Sequence, residues 1–466
     1  MLEKTIQKPV LSLAYIAVNR FGYGARDNEL AQAKENPLKW LQSSLKTPVF
    51  NDDLPNSEDI LRQYAFYIQQ KKKAKQENKV IDNSITTPDM KTKYHARNAL
   101  LSLSSDTVKQ AINSTQSVSW RLLDFFSNHF SVTAKGRLMT GLAGTLERES
   151  IAPNLLGQFE DLLLAVEQHP AMLIYLNNER SFGANSALNT KRKKGRTQKK
   201  KGLNENLARE ILELHTLGVN GPYQQNDVTE LANAITGWSV INFKKEHGSG
   251  FTFRQSGHEP GERTLLGKKY KNNGLLQGQQ ILKDLAINPA TAKYLCYKLA
   301  HHFVSEKPPK SLLLKMEATW KITNGNIKQV MLTLFEAQES WFDSPQKFKT
   351  PREFVISTHR ALGTTKINDK ALFNALSVLG QQPFNAGSPA GYSDKKTDWL
   401  GGSALMARID WTTKISSYRN RINAEKTMEL ALDEGVSEHT YKAVIRAESR
   451  QQALTLLVMS PEFQRR

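Results

Sequence analysis

Along most of the chain apolar residues recur at spacings of three and four, the period of helices that bury one face. The clearest case is Asn204 to Gly218, NENLAREILELHTLG. At about 100° per residue, Leu207, Ile211 and Leu214 fall on one stripe, and Glu205, Arg209, Glu213 and Thr216 on another. Asn206 lies beside Glu213, Glu210 on the flank between the stripes, and His215 on the other flank, beyond Ile211. Asn204 is a good N-cap, Glu205 adds negative charge to the first turn, and Gly218 suits the left-handed position past the end. The spacing therefore predicts a helix over 205–217 with both ends marked.

The same reading places two helices and the start of a third over 10–45, with a turn at Phe21-Gly22-Tyr23-Gly24. Asp27 is the N-cap candidate of the second, and Pro37 and Trp40 open the third. Residues 58–80 are helical but strongly charged, and 81–92 form a linker. One long helix, or two joined, covers 105–130, where Trp120, Leu123, Phe126 and Phe130 make a stripe with His129 beside it. Residues 138–168 are helical again, Pro153 starts a new element, and Pro170 opens a short segment ending in Asn177-Asn178. Asp227-Val228-Thr229-Glu230 reads as an acidic capping box for a helix that runs to Thr236 and stops at Gly237.

From 238 to 275 glycine becomes frequent, and Phe251-Thr252-Phe253 and Thr264-Leu265-Leu266-Gly267 predict short strands or hairpins. Helices return over 277–286, 290–303, 311–320, 326–338, 351–362, 369–379, 400–423, 425–433, 437–446 and 449–458. No alternation of strands and helices supports a doubly wound sheet. The expected class is mainly α, a multi-helix globular array with a small β-hairpin insertion around 238–275. An N-terminal helical segment, 1–80, precedes a main helical domain, 93–466, that carries a basic loop at 189–202. The two are expected to form one continuous unit.

Composition changes this picture in three places. The 466 residues, 39% apolar, can build a sizeable core, and no run of apolar residues is long enough for a transmembrane helix. The one cysteine, Cys296, excludes an internal disulfide, and its apolar helix predicts a buried, inert thiol. The net charge of +19 is partly local: Lys191 to Lys201, KRKKGRTQKKK, holds eight positive residues and no acid, and the rest of the chain carries +11. A second cluster, KKKAK, occupies 71–75. Such patches attract phosphates, acidic polysaccharide or acidic protein surfaces in a salt-sensitive way, or simply form a solvated loop. At the N-terminus, Lys4 and Lys8 precede the apolar stretch Val10 to Val18. That stretch reads as an export signal, giving a periplasmic or exported protein, or as a folded first helix in a cytoplasmic one; NRFGYGAR lacks a small-residue cleavage site.

Longer motifs recur in order: VNRFGYGA, FFSNHFSV at 125–132, PAMLIYLNN at 170–178, NENLAREILELHTLGV at 204–219, DVTELANAITGW at 227–238 and GHEPGERTLLG at 257–267. NPATAKYLCYKLAHHFV, TPREFVISTHRALG and SPEFQRR follow. In these stretches, spread over nearly its whole length, the chain resembles the bacterial family catalogued as domain of unknown function 1800. The resemblance implies one continuous, mostly helical unit and no assured activity. It also implies frequent export, and genes encoded beside proteins of the uncharacterised family 1501, which resemble the sulfatase and phosphatase fold. Two departures stand out: the family's histidine–aspartate pair is His258-Glu259 here, and the segment from Asn178 to Asn204 is longer and more basic.

Two function classes follow. In the first, the protein is an enzyme whose polar centre is Glu205, Arg209, Glu210, Glu213 and His215, joined by His129 and His258 from other segments. Carboxylates would bind an ion or move protons, and Arg209 would orient them, in hydrolysis or modification of an envelope or extracellular polymer. A divalent metal held by Glu210, Glu213, His129 and His258 and metal-free acid–base chemistry both remain open. Asn177, Asn178, Asn204 and Asn206 would hydrogen-bond substrate. The plainer alternatives are a surface ladder of ion pairs worth about 0.3–0.5 kcal/mol each, core histidines bonded to backbone, and a helix end at Asn177-Asn178. In the second class, a non-catalytic accessory protein docks an acidic partner, such as the phosphatase-like family 1501 protein, or a polyanion. Its contacts would be Lys191, Arg192, Lys193, Lys194, Arg196, Lys199, Lys200 and Lys201. Nucleic acid is not supported, since no aromatic residue interleaves with the basic loop. No nucleophile elbow or phosphate-binding glycine motif is present, and His301-His302 look like a helix end.

Overall fold

Helix Ser117–His129 is buried almost all round, and its polar residues explain how that is tolerated. Ser119 Oγ donates to the Ser44 carbonyl (2.9 Å) and accepts from the Lys46 amide (2.9 Å). Arg121 donates to the carbonyls of Arg20, Gly22 and His302 and pairs with Glu353 at 3.2 Å. Such groups can be buried only with their hydrogen bonds made. The predicted stripe of Trp120, Leu123, Phe126 and Phe130 lies wholly inside the core.

The structure is a computed structural model that describes residues 11–26, 28–76, 96–193, 202–241, 250–342 and 347–466, without the side chains of Ala74 and 191–193. It is mainly α with two small antiparallel hairpins, the class predicted. Trp238–Val240 pairs with Phe251–Phe253, and Arg263–Leu265 with Lys268–Tyr270. The second hairpin turns through Leu266 and Gly267, both at positive φ, as a two-residue turn matched to strand twist requires. Among the described residues no helix is long and apolar enough to cross a membrane.

Helices in the C-terminal half begin where side-chain caps allow. Asn288, Asn326, Asn368, Asn423, Ser437 and Ser449 each accept a first-turn amide, and Thr350 with Glu353 forms a full capping box. Arginines tie this half to the N-terminal residues. Arg360 donates to the carbonyls of Gly24 (3.0 Å), Ala111 (3.1 Å), Ile112 (3.1 Å) and Ser114 (2.8 Å), and pairs with Glu29. Arg20 holds the carbonyls of Ser340 and Phe342, each at 2.7 Å. Leu11 and Ala14 to Val18, most of the N-terminal apolar stretch, are core residues.

Some boundaries differ from expectation. Residues 105–130 hold two helices, one of the two readings expected, but the first begins earlier: Ala96–Asn113 and Ser117–His129. The helix expected from Asp227 starts at Gln225, because Gln224 is the cap and Asp227 reaches back to its amide (2.9 Å). Asp27 and the expected linker at 81–92 lie outside the described residues.

The largest correction concerns 205–217. Asn206–Glu210 is α-helical, but Ile211–Thr216 is a π-helix. Glu205, not Asn204, is the cap, and Asn204 Oδ1 accepts from the Asn206 amide (2.9 Å). In the wide turn the Leu217 amide bonds the Leu212 carbonyl (3.0 Å), and Thr216 Oγ1 donates to the Ile211 carbonyl (2.6 Å). The extra residue per turn shifts the phase of every later side chain. The buried set is therefore Leu207, Ala208, Ile211, Leu212, His215 and Thr216, while Leu214 is half-buried. Gly218 ends the helix at φ 87°, and a Cβ there would lie 3.0 Å from the Tyr294 ring.

Two more π segments, Ala17–Phe21 and Glu147–Ile151, also carry buried polar side chains. Such segments are rare and concentrate at functional sites. Thr216→Val keeps the shape and deletes the hydroxyl that satisfies the Ile211 carbonyl. It is expected to lower unfolding free energy by about 1–2 kcal/mol in urea titrations; an unchanged midpoint would show that the hydroxyl does not support the wide turn.

Candidate functional site

Carbonyls in the last turn of a helix have no partner within the helix. The His215 carbonyl finds one outside, in His129 Nε2 at 3.2 Å. That nitrogen must carry the proton, which leaves His129 Nδ1 as an acceptor. Lys298 Nζ donates to it at 2.9 Å. Burial, then the neighbouring Lys298, holds the His129 pKa well below its ordinary value, so the ring is neutral. His215 is itself buried, with Nδ1 2.7 Å from Glu167 Oε1.

Lys298 belongs to helix Pro289–Phe303, where Lys298, His301 and His302 share a face at i, i+3 and i+4. Burial lowers its amine to about 8, against the opposing pull of Asp394. The Tyr294 and Phe125 ring centroids lie 5.3 and 6.0 Å from Nζ. Among the described residues no carboxylate stands within ion-pair reach of this amine. The side chain is half-buried, and it lines a cavity of about 340 Å³.

Three further elements complete that cavity. Helix Ser117–His129 contributes Asp124, Phe125, Asn128 and His129, and the first turn of helix Pro351–Ala361 contributes Arg352 and Glu353. The loop 381–395 closes it with Gln381, Phe384, Tyr392 and Asp394. Asn128 holds this loop like a strand partner: Nδ2 donates to the Tyr392 carbonyl (2.8 Å) and Oδ1 accepts its amide (2.7 Å). Gly391, at φ 79°, backs onto Asn128, where a Cβ would lie 2.4 Å from the Asn128 carbonyl oxygen. Phe384 sits at φ 51°, a strained conformation for a bulky residue, while its carbonyl accepts from the Ala134 amide (2.7 Å).

The carboxylates around the cavity titrate differently. Burial raises Asp124 to about 6 despite Arg352, 2.6 Å away, and the Tyr23 hydroxyl bonded to it. Burial also opposes ionisation of Asp394, but His302 (3.0 Å), His301 (3.5 Å) and Lys347 (3.8 Å) outweigh it and hold the carboxyl well below its usual range. Burial lowers His302 to about 4, so a neutral ring donates to an ionised Asp394. Glu353, against burial, is held at about 2 by Arg466 (2.7 Å) and Arg121 (3.2 Å).

Of the residues expected from sequence, His129 and His215 come together, with ring centroids 6.0 Å apart. The stripe of Glu205, Arg209 and Glu213 is a partly exposed ladder: Arg209, 39% exposed, lies 3.1 Å from Glu213 and 3.5 Å from Glu205. Gln225 and Thr229 bond to it, and no hydrogen bond among the described residues joins it to His129 or His258. Glu210 is half-buried, and burial raises its pKa despite the nearby His215. His258 is buried elsewhere, with Nδ1 on the Thr236 carbonyl (3.1 Å), and lines a separate cavity with Asn185 and Gln255. Its neighbour Glu259 accepts from the Asn185 amide (2.8 Å) and Nδ2 (2.7 Å).

Asn178 is fully buried and its amide nitrogen donates to the carbonyls of Ile235 (3.2 Å) and Trp238 (3.1 Å). Asn177 takes the left-handed conformation of a helix end, and Asn206 is exposed. Among the described residues no three His, Cys, Asp or Glu side chains converge as metal ligands. The expected set of Glu210, Glu213, His129 and His258 is not assembled, since both His129 nitrogens are engaged. Lys194, Arg196, Lys199, Lys200 and Lys201 lie outside the described residues, as do the side chains of Lys191, Arg192 and Lys193. Cys296 is buried, and burial raises its thiol well above the ordinary value, as an inert role requires.

Sequence reasoning did not single out Asp124, Lys298, Arg352, Glu353 or Asp394, and it read His301-His302 only as a helix end, where they do lie. The signal was present in KLAHHF and TPREF, where charged and ring side chains recur at helical spacing among core residues.

The family described as protein of unknown function, DUF1800, matches residues 16–465. The chain belongs to that family. No curated protein and no solved structure matches it. The DUF1800 match spans every element that lines the cavity.

The Lys298 shift has a consequence for stability. Its folded pKa, about 8, lies below the ordinary amine value, so the folded state carries a disfavoured ammonium at every pH below about 8. The penalty fades as pH rises from there towards about 10.4. Lys298→Met should therefore raise unfolding free energy at pH 7 by on the order of 1–2 kcal/mol, allowing for solvent at the half-buried amine, and leave it unchanged near pH 10.5. A loss of stability at pH 7 would mark Lys298 as a structural residue.

Proposed function

We propose that this DUF1800 protein is an enzyme whose active site is the cavity between helices Ser117–His129 and Pro289–Phe303, with Lys298 as its reactive base. One observation carries the reading: an amine set into a cavity wall is bonded to a neutral histidine and has no carboxylate partner among the described residues. Held in this way, it is deprotonated in part at neutral pH and can take a proton from a bound molecule.

His129 keeps one N–H of the amine engaged and so aims its lone pair. Asp124, raised to about 6, is suited to return a proton, and Asp394 stays ionised beside His302 and Lys347. Two carboxyls with separated titration ranges in one cavity suit paired acid and base roles. The cavity's size suits a small polar substrate or one unit of a polymer. Hydrolysis or modification of an envelope polymer, expected from the sequence, stays within this class of chemistry, with its centre moved from the Glu205 ladder to Lys298. The docking role of the basic loop rests on residues outside those described and gains no support from the fold.

Trace labelling with acetic anhydride across pH, read by peptide mass spectrometry, tests the proposal. Lys298 is expected to reach half-maximal reactivity near pH 8, while exposed lysines do so near pH 10. A Lys298 midpoint near 10, or no reaction in the folded protein, would refute the assignment.

A further inference from the structure

We propose that Lys298 is a covalent nucleophile that forms an imine with a carbonyl compound, an aldehyde or ketone small enough for the 340 Å³ cavity. The inference rests on the reading of this cavity as the active site and goes beyond it, because a general base needs no bond to its substrate. Three features of the amine's surroundings favour bond formation.

The first is the partner. His129 Nδ1 accepts a single N–H and cannot donate, because the His215 carbonyl fixes the proton on Nε2. A neutral amine held this way keeps its second N–H and its lone pair free for the cavity. A carboxylate partner would have kept the amine charged and its electron pair unusable.

The second is the pair of rings. The Tyr294 and Phe125 faces lie 5.3 and 6.0 Å from Nζ. They attract the positive charge of a protonated imine at the same position. The third is the lining. Tyr297 and Gln381 bring a hydroxyl and an amide to the cavity, which suits a hydroxylated carbonyl compound.

The chemistry balances without a further reagent. The ammonium first gives one proton to solvent. The nitrogen lone pair forms the N–C bond, the carbonyl π pair moves to oxygen, and that oxygen takes a proton. The nitrogen loses its extra proton to give a neutral carbinolamine. Its hydroxyl, protonated by Asp124 or solvent, leaves as water while the nitrogen pair forms C=N, which gives the iminium; loss of the N–H proton from it gives the neutral imine. Taken from the neutral amine, one carbonyl and one amine become one imine and one water. Imine and iminium differ by that one proton, which exchanges with solvent.

Borohydride trapping tests this directly. Folded protein is incubated at pH 7.5 separately with dihydroxyacetone, glyceraldehyde and pyruvate, reduced with borohydride, digested and mapped by mass spectrometry. With at least one probe, the Lys298 peptide is expected to carry the secondary-amine adduct at about tenfold or more the occupancy of any exposed lysine. His129→Phe should cut that excess at Lys298 while circular dichroism stays native. Equal adducts on all lysines, or none at Lys298 with any of the three, would overturn the covalent role. If acetylation still gives a Lys298 midpoint near pH 8 in that case, the general-base reading stands alone; a midpoint near 10 removes both.

Discussion

The hydrogen bond from His129 Nε2 to the His215 carbonyl is the constraint on which the rest of the site depends. It joins the ends of two helices that are distant in sequence, and it decides which ring nitrogen carries the proton. Nδ1 must then accept, and the group it accepts from is Lys298. The wide turn at Ile211–Thr216 belongs to the same device. It brings His215 and Thr216 into the core, seats the His215 ring on Glu167, and turns a helix terminus towards His129. Gly218 then lets the chain leave beneath Tyr294, one turn before Lys298 on its helix.

This arrangement costs stability. Lys298 holds a charge that burial disfavours, Asp124 is pressed towards its neutral form, and Phe384 keeps a strained backbone at the cavity edge. The surrounding structure offsets these terms with arginines that satisfy many backbone carbonyls at once. Arg360 and Arg20 clamp N-terminal residues to the C-terminal half, and Arg121 and Arg466 pin Glu353 next to the cavity. Cavity walls held by so many fixed donors stay in register, which preorganised acid–base groups require. Strain kept at one place and balanced elsewhere is the usual mark of a working site.

Much of the fold was legible in the sequence. Apolar periodicity and cap residues located the C-terminal helices closely, and glycine-rich alternation located both hairpins, because these signals act over a few residues. The site was legible only in part. His129 and His215 stood out, but the regular charge spacing of Glu205, Arg209 and Glu213 drew attention to a face that the fold leaves at the surface. A reckoning in α-helical turns cannot anticipate a π segment, so Leu214 and Thr216 were assigned to the wrong sides. Lys298 lies 169 residues from His129, and Asp394 lies 92 from His302. Only the tertiary fold brings such groups together, and nothing in the local pattern of the 381–395 loop signals that it closes a cavity.

The most direct test is the protonation state of one ring. Long-range ¹⁵N–¹H NMR of imidazole-labelled protein, assigned with a His129→Phe variant, reports both tautomer and charge. His129 is expected to be neutral with the proton on Nε2 at pH 6.5 and to remain so well below that pH. A ring protonated on both nitrogens at pH 6.5, or one carrying its proton on Nδ1, could not accept from Lys298 and would contradict this assignment.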